Sequence, residues 1–261
     1  MIQSGLSNLK NSIIDKFTCA ICKMPLLGVF HEDAWGNRFC VKHTNEFHRC
    51  SCCQRLICEP LTGGGVAYQD KRLVCNICRQ TAIDTKEQAK PYIEANAAWL
   101  YQMGFTFQAL ALKIDLVYRD DLIHKSEHKG GGEPMGMIYT SVNGGRRKPF
   151  ERRVEGVAIL KGLSRHVMEG VAIHELGHAW LFLHGVDSLD GPTEEGFCNM
   201  LSYLYHDTFD TDEARFCKLV IEKSPDPVYG DGFRAVHQAV NTYGLSQIVD
   251  YLRLYRMLPP V

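Results

Sequence analysis

Residues 171–184 read Val-Ala-Ile-His-Glu-Leu-Gly-His-Ala-Trp-Leu-Phe-Leu-His, an apolar run that carries polar side chains at helical spacing. His174 and His178 are four residues apart, so on a helix both imidazoles project from one face. Glu175 lies beside them, where it can reach a metal-held water rather than the metal. The stretch predicts a helix, closed by Gly185, with a two-histidine metal site. An amphipathic helix with incidental histidines is the alternative.

A third ligand is sought downstream, because a catalytic zinc takes three protein ligands and keeps one position open. Residues 193–197 read Thr-Glu-Glu-Gly-Phe and begin a second predicted helix. Glu195-Gly196 resembles the acidic residue and glycine on the second helix of gluzincin peptidases, where that helix returns antiparallel and its glutamate completes the site. The resemblance implies Glu195 as the ligand, with Glu194 as its rival. Asn199, one turn after Glu195, is expected to orient a ligand by hydrogen bonding.

His184 is a further rival, because it stands where a metzincin has its third histidine. A metzincin needs glycine three residues after the second histidine, to break the helix and turn the chain back. That position is Leu181 here, inside a helix-favouring run. We therefore expect the helix to continue and His184 to point away from the two histidines, at the helix end.

Nine of the eleven cysteines lie between Cys19 and Cys78. This segment has few apolar periods, so it needs a metal or disulfides to hold it together. The first 17 residues do not have the pattern of a secretory signal, and the cysteines come in C-x-x-C pairs. Thiolate ligands are therefore favoured over disulfides. The spacing predicts two structural zinc sites, with the ligand sets Cys19, Cys22, Cys40, His43 and Cys50, Cys53, Cys75, Cys78.

This tandem pattern resembles a LIM domain, and the resemblance is closest over residues 49–78. The first site departs from it, because a LIM domain normally has histidine before cysteine, whereas here Cys40 precedes His43. Six residues separate the two sites, which is more than usual. Three nearby side chains are possible substitutes for a ligand or spare thiols: His48, Cys52 and Cys58. LIM domains bind proteins, so the resemblance implies a protein partner.

The rest of the chain predicts an α+β fold. Apolar spacing favours helices over residues 84–101, 164–184 and 192–206 and further helices beyond 212, and strand-like runs at 110–118, 137–142 and 157–160. Residues 128–134 and 143–149 are predicted to be loops. The expected organisation is an N-terminal extension (1–16), a LIM-like zinc module (17–80) and a zincin-like peptidase domain with a small sheet and helices (81–261).

Composition excludes several classes of partner. The formal net charge is −1, which argues against nucleic acid, because phosphate contacts demand Lys and Arg. No run approaches the 18 apolar residues that a membrane span requires. With no signal and with free thiols expected, we predict a cytoplasmic protein.

Five features of the sequence together resemble one family over residues 17–258. They are the cysteine module, the 174–185 segment His-Glu-Leu-Gly-His-Ala-Trp-Leu-Phe-Leu-His-Gly, the 194–198 segment Glu-Glu-Gly-Phe-Cys, Gly232-Phe-Arg234 and Tyr243-Gly-Leu245. It is the LIM-containing peptidase family often called "DA-one", whose plant members limit organ growth. The resemblance implies a zinc peptidase that cleaves selected protein substrates. Plant members carry ubiquitin-interacting motifs, but no such acidic helix is evident here, so that regulation is not inferred.

The expected reaction is peptide-bond hydrolysis with one catalytic zinc, a zinc-bound water as nucleophile and Glu175 as general base. Three residues are candidate transition-state donors: His237, Tyr243 and Arg234. Residues 137–142 are a candidate edge strand for an extended substrate. The alternative is an adaptor that binds proteins through the LIM-like module and has a non-catalytic peptidase-like domain. The intact Glu175 argues against it, because a scaffold needs no base there.

Overall fold

Short β-hairpins and single helical turns make up the cysteine-rich segment in the computed structural model, which describes residues 17–107, 112–125, 134–145, 148–186 and 188–260. The chain divides into two compact units, one ending at Ala82 and the other beginning at Ile83. The predicted N-terminal extension and residues 128–133 of the first predicted loop lie outside the described residues. The mixed α+β architecture agrees with the sequence prediction.

The first unit contains two antiparallel hairpins, β1–β2 and β3–β4. Apart from cysteines, the fully buried hydrophobic side chains among its described residues are Phe39, Leu56 and Val74. So small an apolar core cannot by itself offset the conformational entropy of folding this segment. Its elements are β1 (Phe30–Glu32), β2 (Arg38–Cys40), a 3-10 turn (Val41–Thr44), α1 (Glu59–Thr62), β3 (Gly65–Ala67), β4 (Leu73–Cys75) and α2 (Asn76–Arg79).

The second unit combines a three-stranded sheet with longer helices. After β5 (Ala82–Ile83) at the boundary, its elements are α3 (Lys86–Gln102), β6 (Lys113–Val117), α4 (Arg119–Lys125), β7 (Gly136–Gly145), β8 (Lys148–Leu160), β9 (Leu163–Ser164), α5 (Arg165–Leu183), α6 (Gly191–Asp207), α7 (Asp212–Glu222), α8 (Tyr229–Tyr243) and α9 (Leu245–Tyr255). The predicted helices over 84–101, 164–184 and 192–206 are confirmed as α3, α5 and α6. In the described residues, no helix is both long and apolar enough to cross a membrane.

The sheet has the order β6-β8-β7, so β7 is an edge strand. β8 pairs parallel with β6 and antiparallel with β7. Residues 157–160 at the end of β8 are all buried, in keeping with their continuous apolar sequence and central position. The second predicted loop, residues 143–149, is shorter than expected, because β7 runs to Gly145 and β8 begins at Lys148.

α5 and α6 form the antiparallel helix pair on which the site is built. Ser202 Oγ donates to the Gly170 carbonyl at 2.7 Å, whereas near the other end of α5 His178 meets Glu194. Between the helices lies the main hydrophobic core, which includes Leu176, Trp180, Phe197 and Leu201. The N-terminus of α6 is capped by Asp190, whose carboxylate accepts from the Thr193 amide at 2.7 Å.

Two glycines let α8 approach α6 closely. A Cβ at Gly196 would stand 2.3 Å from the Gly232 carbonyl carbon, and a Cβ at Gly232 would stand 2.1 Å from the Pro192 carbonyl oxygen. Neither contact is possible with a larger residue, so this crossing depends on glycine at both positions. The close approach brings Tyr229, the first residue of α8, to the α5–α6 pair.

Candidate metal centres

His174 and His178 project from the same face of α5, as their four-residue spacing predicts. Their Nε2 atoms are 3.1 Å apart and both rings are partly buried. Glu195 on α6 faces them, with Oε2 at 3.0 Å from Nε2 of His174 and 3.4 Å from Nε2 of His178. The structure thus brings together the three residues predicted to hold the catalytic metal.

Glu194, the rival ligand, bonds a different atom. Its Oε1 accepts from Nδ1 of His178 at 2.9 Å. A carboxylate can only accept, so this bond places a proton on Nδ1 and leaves Nε2 as the ring atom that faces Glu195. Glu194 is therefore placed to orient His178, while Glu195 is placed among the metal-facing atoms.

Asn199 performs the corresponding role for His174. Its Oδ1 lies 3.0 Å from Nδ1 of His174, and its Nδ2 donates to the Tyr229 carbonyl at 3.1 Å. Because the amide nitrogen is engaged with a carbonyl, Oδ1 is the acceptor for Nδ1–H of His174. Nε2 of His174 is then free for a metal. The sequence-predicted position of Asn199 next to a ligand agrees with this geometry.

The acidic and basic groups of the cluster shift the pKa values of Glu195 and His178. Burial opposes ionisation of Glu195, but hydrogen bonds and the charges of His174 and His178 outweigh it and hold the pKa of Glu195 below its usual range. Burial also disfavours the charged form of His178, yet Cys198, Glu194 and Glu195 together raise its pKa well above the usual value. The carboxylates of Glu194 and Glu195 thus favour positive charge at the histidine pair.

Glu175 is 7% exposed and lies under the start of β7. A Cβ at Gly136 would stand 2.8 Å from both Cγ and Oε1 of Glu175. The glycine at the beginning of the edge strand therefore makes room for the predicted base.

Tyr229 is a candidate site residue that no sequence motif indicates. Its ring centroid lies 6.3 Å from that of His174. Burial raises the pKa of its hydroxyl, and among the charges that act on it are those of Glu195, His178 and Glu175. A proton-donating hydroxyl thus stands beside the cluster.

The three predicted transition-state donors make contacts with other parts of the chain. His237 stacks on Phe233 and bonds Asn241, the Arg234 guanidinium bonds the carbonyls of Glu222 and Ser224, and the Tyr243 hydroxyl donates to the Pro260 carbonyl. In the described part of the chain, none of these contacts reaches His174, His178 or Glu195. Of these aromatic and basic side chains, Tyr229 is the one that lies beside His174.

His184 lies beyond the end of α5, as the sequence predicts. Its ring stacks on Trp180 with centroids 4.3 Å apart, and its Nδ1 bonds the Trp180 carbonyl at 2.9 Å. Gly185 follows with a left-handed φ of 66°, which ends the helix. These contacts hold His184 against Trp180.

Cys198 completes the surroundings of the histidine pair. Its side chain is fully buried on α6, and burial raises the pKa of its thiol to about 12, with partial opposition from His178. Its Sγ and one ring nitrogen from each of His174 and His178 all lie within 4.8 Å of one another.

The first unit contains two further groups able to hold a metal ion, and they are the two predicted sets, Cys19, Cys22, Cys40, His43 and Cys50, Cys53, Cys75, Cys78. Within each group the ligand atoms lie within 4.8 Å of one another. Sγ–Sγ distances are 3.9 Å for Cys22–Cys40 and 3.7 Å for Cys53–Cys75. Four zinc–sulfur bonds of about 2.3 Å in a tetrahedron give edges of about 3.8 Å, so both sets fit zinc.

Surrounding hydrogen bonds prepare the donors of these two groups. Cys22 and Cys40 amides each lie 3.5 Å from Cys19 Sγ, and the Cys75 amide lies 3.3 Å from Cys50 Sγ. Nδ1 of His43 pairs with the Glu46 carboxylate, which leaves Nε2 for a metal. The possible substitutes lie outside both groups: His48 is exposed, and Cys52 and Cys58 are buried.

Comparison with known proteins gives a consistent set of relatives. Protein DA1 of Arabidopsis thaliana is 24% identical over 86% of this chain and 52% of its own length. Protein DA1-related 2 of the same plant is 26% identical over 86% of this chain and 54% of its own. LIM domain-containing protein HDR3 of Oryza sativa subsp. japonica is 25% identical over 84% of this chain and 56% of its own. The chain thus spans about half the length of these relatives.

No solved structure matches the chain. The family model described as "DA1-like: Protein DA1" matches residues 121–215 and 206–255. The matched segments include α5, α6 and α8, which carry His174, Glu195 and Tyr229. Because together they span more than half of the sequence, the chain belongs to the DA1-like family.

Proposed function

We propose that this protein is a zinc-dependent peptidase that hydrolyses peptide bonds of protein substrates. The observation that carries the proposal is the convergence of two Nε2 atoms and one carboxylate oxygen, at mutual distances of 3.0, 3.1 and 3.4 Å. Zinc–nitrogen and zinc–oxygen bonds of about 2.0–2.1 Å in a tetrahedron give edges of about 3.3 Å. The donor set of His174, His178 and Glu195 therefore fits zinc and keeps one position for chemistry.

When bound, zinc would lower the pKa of a water molecule to about 7 and polarise a scissile carbonyl. Glu175 is the residue next to the first ligand, and its buried carboxylate accepts the water's proton and delivers it to the leaving amine. Asn199 and Glu194 hold the two imidazoles in the tautomer that leaves Nε2 free. The Tyr229 hydroxyl, protonated at neutral pH, donates to the oxygen on which negative charge develops.

The edge strand supports a peptide as substrate. β7 pairs with β8 on one side, and the order β6-β8-β7 gives it no second strand neighbour among the described residues. An extended chain can add to such an edge through backbone hydrogen bonds. Since β7 begins at Gly136, against Glu175, a peptide laid along this strand would pass beside the base.

The cysteine-rich unit is proposed to be a LIM-like module with two structural zinc ions. Its two four-donor groups and its very small apolar core support this assignment, and one relative is named for a LIM domain. A module of this kind would bind a protein partner or substrate. Protein binding by such a module would also serve the second candidate function, an adaptor without catalysis.

Digestion of casein or a peptide library by the full chain, with and without a zinc chelator, tests the proposal. We expect cleavage that the chelator abolishes and that zinc restores. Glu175→Gln keeps the shape of the side chain but cannot accept a proton, so cleavage should fall by about 10²–10⁴ while metal content stays unchanged. His178→Ala should lose both. Chelator-resistant cleavage, or a Gln variant as active as the parent, would contradict the mechanism, and zinc-replete protein that cleaves nothing would favour the adaptor.

A further inference from the structure

Cys198 lies beside His174 and His178 but has no role in the proposed mechanism. It lies three residues after Glu195 on α6, so both side chains face α5. Its side chain is fully buried, and its Sγ lies within 4.8 Å of a ring nitrogen of His174 and of His178. The neighbouring residue on α5 is Gly177, where a Cβ would stand 3.0 Å from this sulfur. The thiol thus fills the space that Gly177 leaves beneath the histidine pair.

A buried cysteine is often a small hydrophobic residue in a core. Cys217 on α7 fits that description, because it belongs to none of the groups able to hold a metal among the described residues. Cys198 differs because its sulfur shares its surroundings with two imidazole nitrogens. Zinc–sulfur and zinc–nitrogen bonds of about 2.3 and 2.0–2.1 Å place those donors about 3.5 Å apart. Each Sγ–nitrogen separation is at most 4.8 Å and so exceeds that ideal contact by about 1.3 Å or less, whereas Glu195 lies outside this three-residue group.

We propose that Cys198 is a fourth protein donor to the metal held by His174, His178 and Glu195, and that it must leave before a substrate can be cleaved. The inference rests on the proposed zinc peptidase. Four protein donors close a zinc site, whereas a catalytic zinc keeps one position open. Formation of the sulfur–metal bond releases the thiol proton to solvent, and departure of Cys198 takes one proton up again. The closed form retains its metal and is inactive, so only the fraction of chains from which Cys198 has moved away cleaves substrate.

The ligands of the exchangeable metal can be identified by spectroscopy without any substrate. A mild chelator removes the metal of the histidine site from the full chain, and Co²⁺ replaces it while the cysteine-rich unit keeps its zinc. The difference spectrum between refilled and stripped protein should contain a near-ultraviolet sulfur-to-cobalt charge-transfer band. Cys198→Ser should lose this band, and the matched control Cys217→Ser should keep it.

The results of this experiment distinguish failure of the Cys198 inference from failure of the proposed zinc site. Refilled wild-type protein without the sulfur band overturns the role of Cys198 and leaves the proposed peptidase untouched, and this measurement needs no variant to fold. A band that persists in Cys198→Ser overturns it as well. A chain that takes up no exchangeable metal at all removes the proposed zinc site itself, and this inference with it.

A second measurement tests whether Cys198 binds the metal or only fills the core. Cys198→Ala should weaken zinc binding by at least about 10-fold, because a donor is lost. At saturating zinc the same variant should cleave peptides several-fold faster than wild type, because the fourth position is open. A cysteine that only fills the core would lower thermal stability and turnover together, and that result would overturn the proposal.

Discussion

Gly136 lies directly against Glu175: a Cβ at position 136 would stand 2.8 Å from Cγ and from Oε1 of the carboxylate side chain, and equally close to Cγ1 of Val171. Contacts this short force a neighbour to move. Both residues lie on α5, but the β-branched Val171 side chain is stiff, so the flexible end of Glu175 is the group that gives way. The start of the edge strand thereby fixes the position of the proposed base.

Gly136→Ala should therefore displace Glu175 without touching the metal-binding residues. We expect peptide hydrolysis to fall by about 10²–10⁴, the range for loss of a general base, while zinc content stays at the wild-type level. Turnover and bound metal are measured on the same preparation. Gly191→Ala is the matched control, since the closest contact of its Cβ is Val228 at 3.8 Å. If Gly136→Ala hydrolyses peptides at the wild-type rate, Glu175 is not held in place by this contact.

Removal of Glu195 and removal of Glu194 should have different effects on zinc binding. Glu195 Oε2 faces both Nε2 atoms, so Glu195→Ala should lose the exchangeable zinc. Glu194 bonds only Nδ1 of His178, so Glu194→Ala should bind zinc more weakly, by about 10-fold, and still fill at high zinc. His184→Ala should leave zinc affinity unchanged, since that ring packs on Trp180. Competition with a chromogenic chelator measures all three, and equal losses for the two glutamates would contradict the assignment.

Tyr229→Phe should separate catalysis from binding. Removing one donor to a developing oxyanion typically costs about 10²–10³ in kcat. KM and zinc content should change little, because the ring and the backbone carbonyl that holds Asn199 remain. Tyr243→Phe is the matched control, and its hydroxyl bonds the Pro260 carbonyl instead. A greater loss of kcat in Tyr243→Phe than in Tyr229→Phe would restore the donor expected from the sequence alone.

The common face of His174 and His178 was predictable from helical spacing, because residues four apart project from the same side of a helix. Glu195 was expected from the resemblance to gluzincin peptidases, whose second helix returns antiparallel, and its carboxylate lies against both rings. Asn199 was expected because it lies one turn further along α6. Whether these residues bind zinc and hydrolyse peptides stays a prediction.

Tyr229 and Gly136 were not predictable in this way, because each reaches the site through tertiary packing. Tyr229 depends on the close crossing of α6 and α8 at Gly196 and Gly232, which no local spacing specifies. The sequence contains both glycines, but it does not show that they let the two helices come into close contact. The error at residues 143–149 arose because Asn143 and Gly145 on β7 pair with Glu151 and Lys148 on β8, so the two strands extend into the predicted loop.

Metal analysis should find about three zinc ions per chain, one exchangeable and two in the cysteine-rich unit. Cys75→Ser should lose one of the latter and unfold that unit, because structural zinc contributes about 10–16 kcal/mol to modules of this kind. Cys58→Ser is the matched control, because Cys58 is buried but belongs to neither four-donor group. Metal content and limited proteolysis report the outcome. A wild-type chain with one zinc would remove the tandem-site assignment.

A buried histidine far from the metal ligands in sequence should make stability depend on pH. His206 is 2% exposed, and burial, with the charges of His166 and Lys218, lowers its pKa from 6.5 to about 4. Gly170 makes room for the ring, since a Cβ there would stand 2.4 Å from Nε2. Between pH 6.5 and 4 the unfolded chain binds this proton and the folded chain does not. Stability is therefore fully present above pH 6.5 and is lost as pH falls toward 4, by up to about 3 kcal/mol.

Chemical denaturation of wild type and His206→Gln at several pH values measures this contribution. The variant lacks the titrating ring, so the difference in unfolding free energy between the two proteins should shrink or change sign as pH falls from 6.5 to 4. Protonation of the metal site affects both proteins equally and cancels in the difference. His124→Gln, at an exposed position on α4, should follow the wild-type curve. If the His206→Gln and wild-type curves stay parallel across this interval, the His206 proton is not linked to folding.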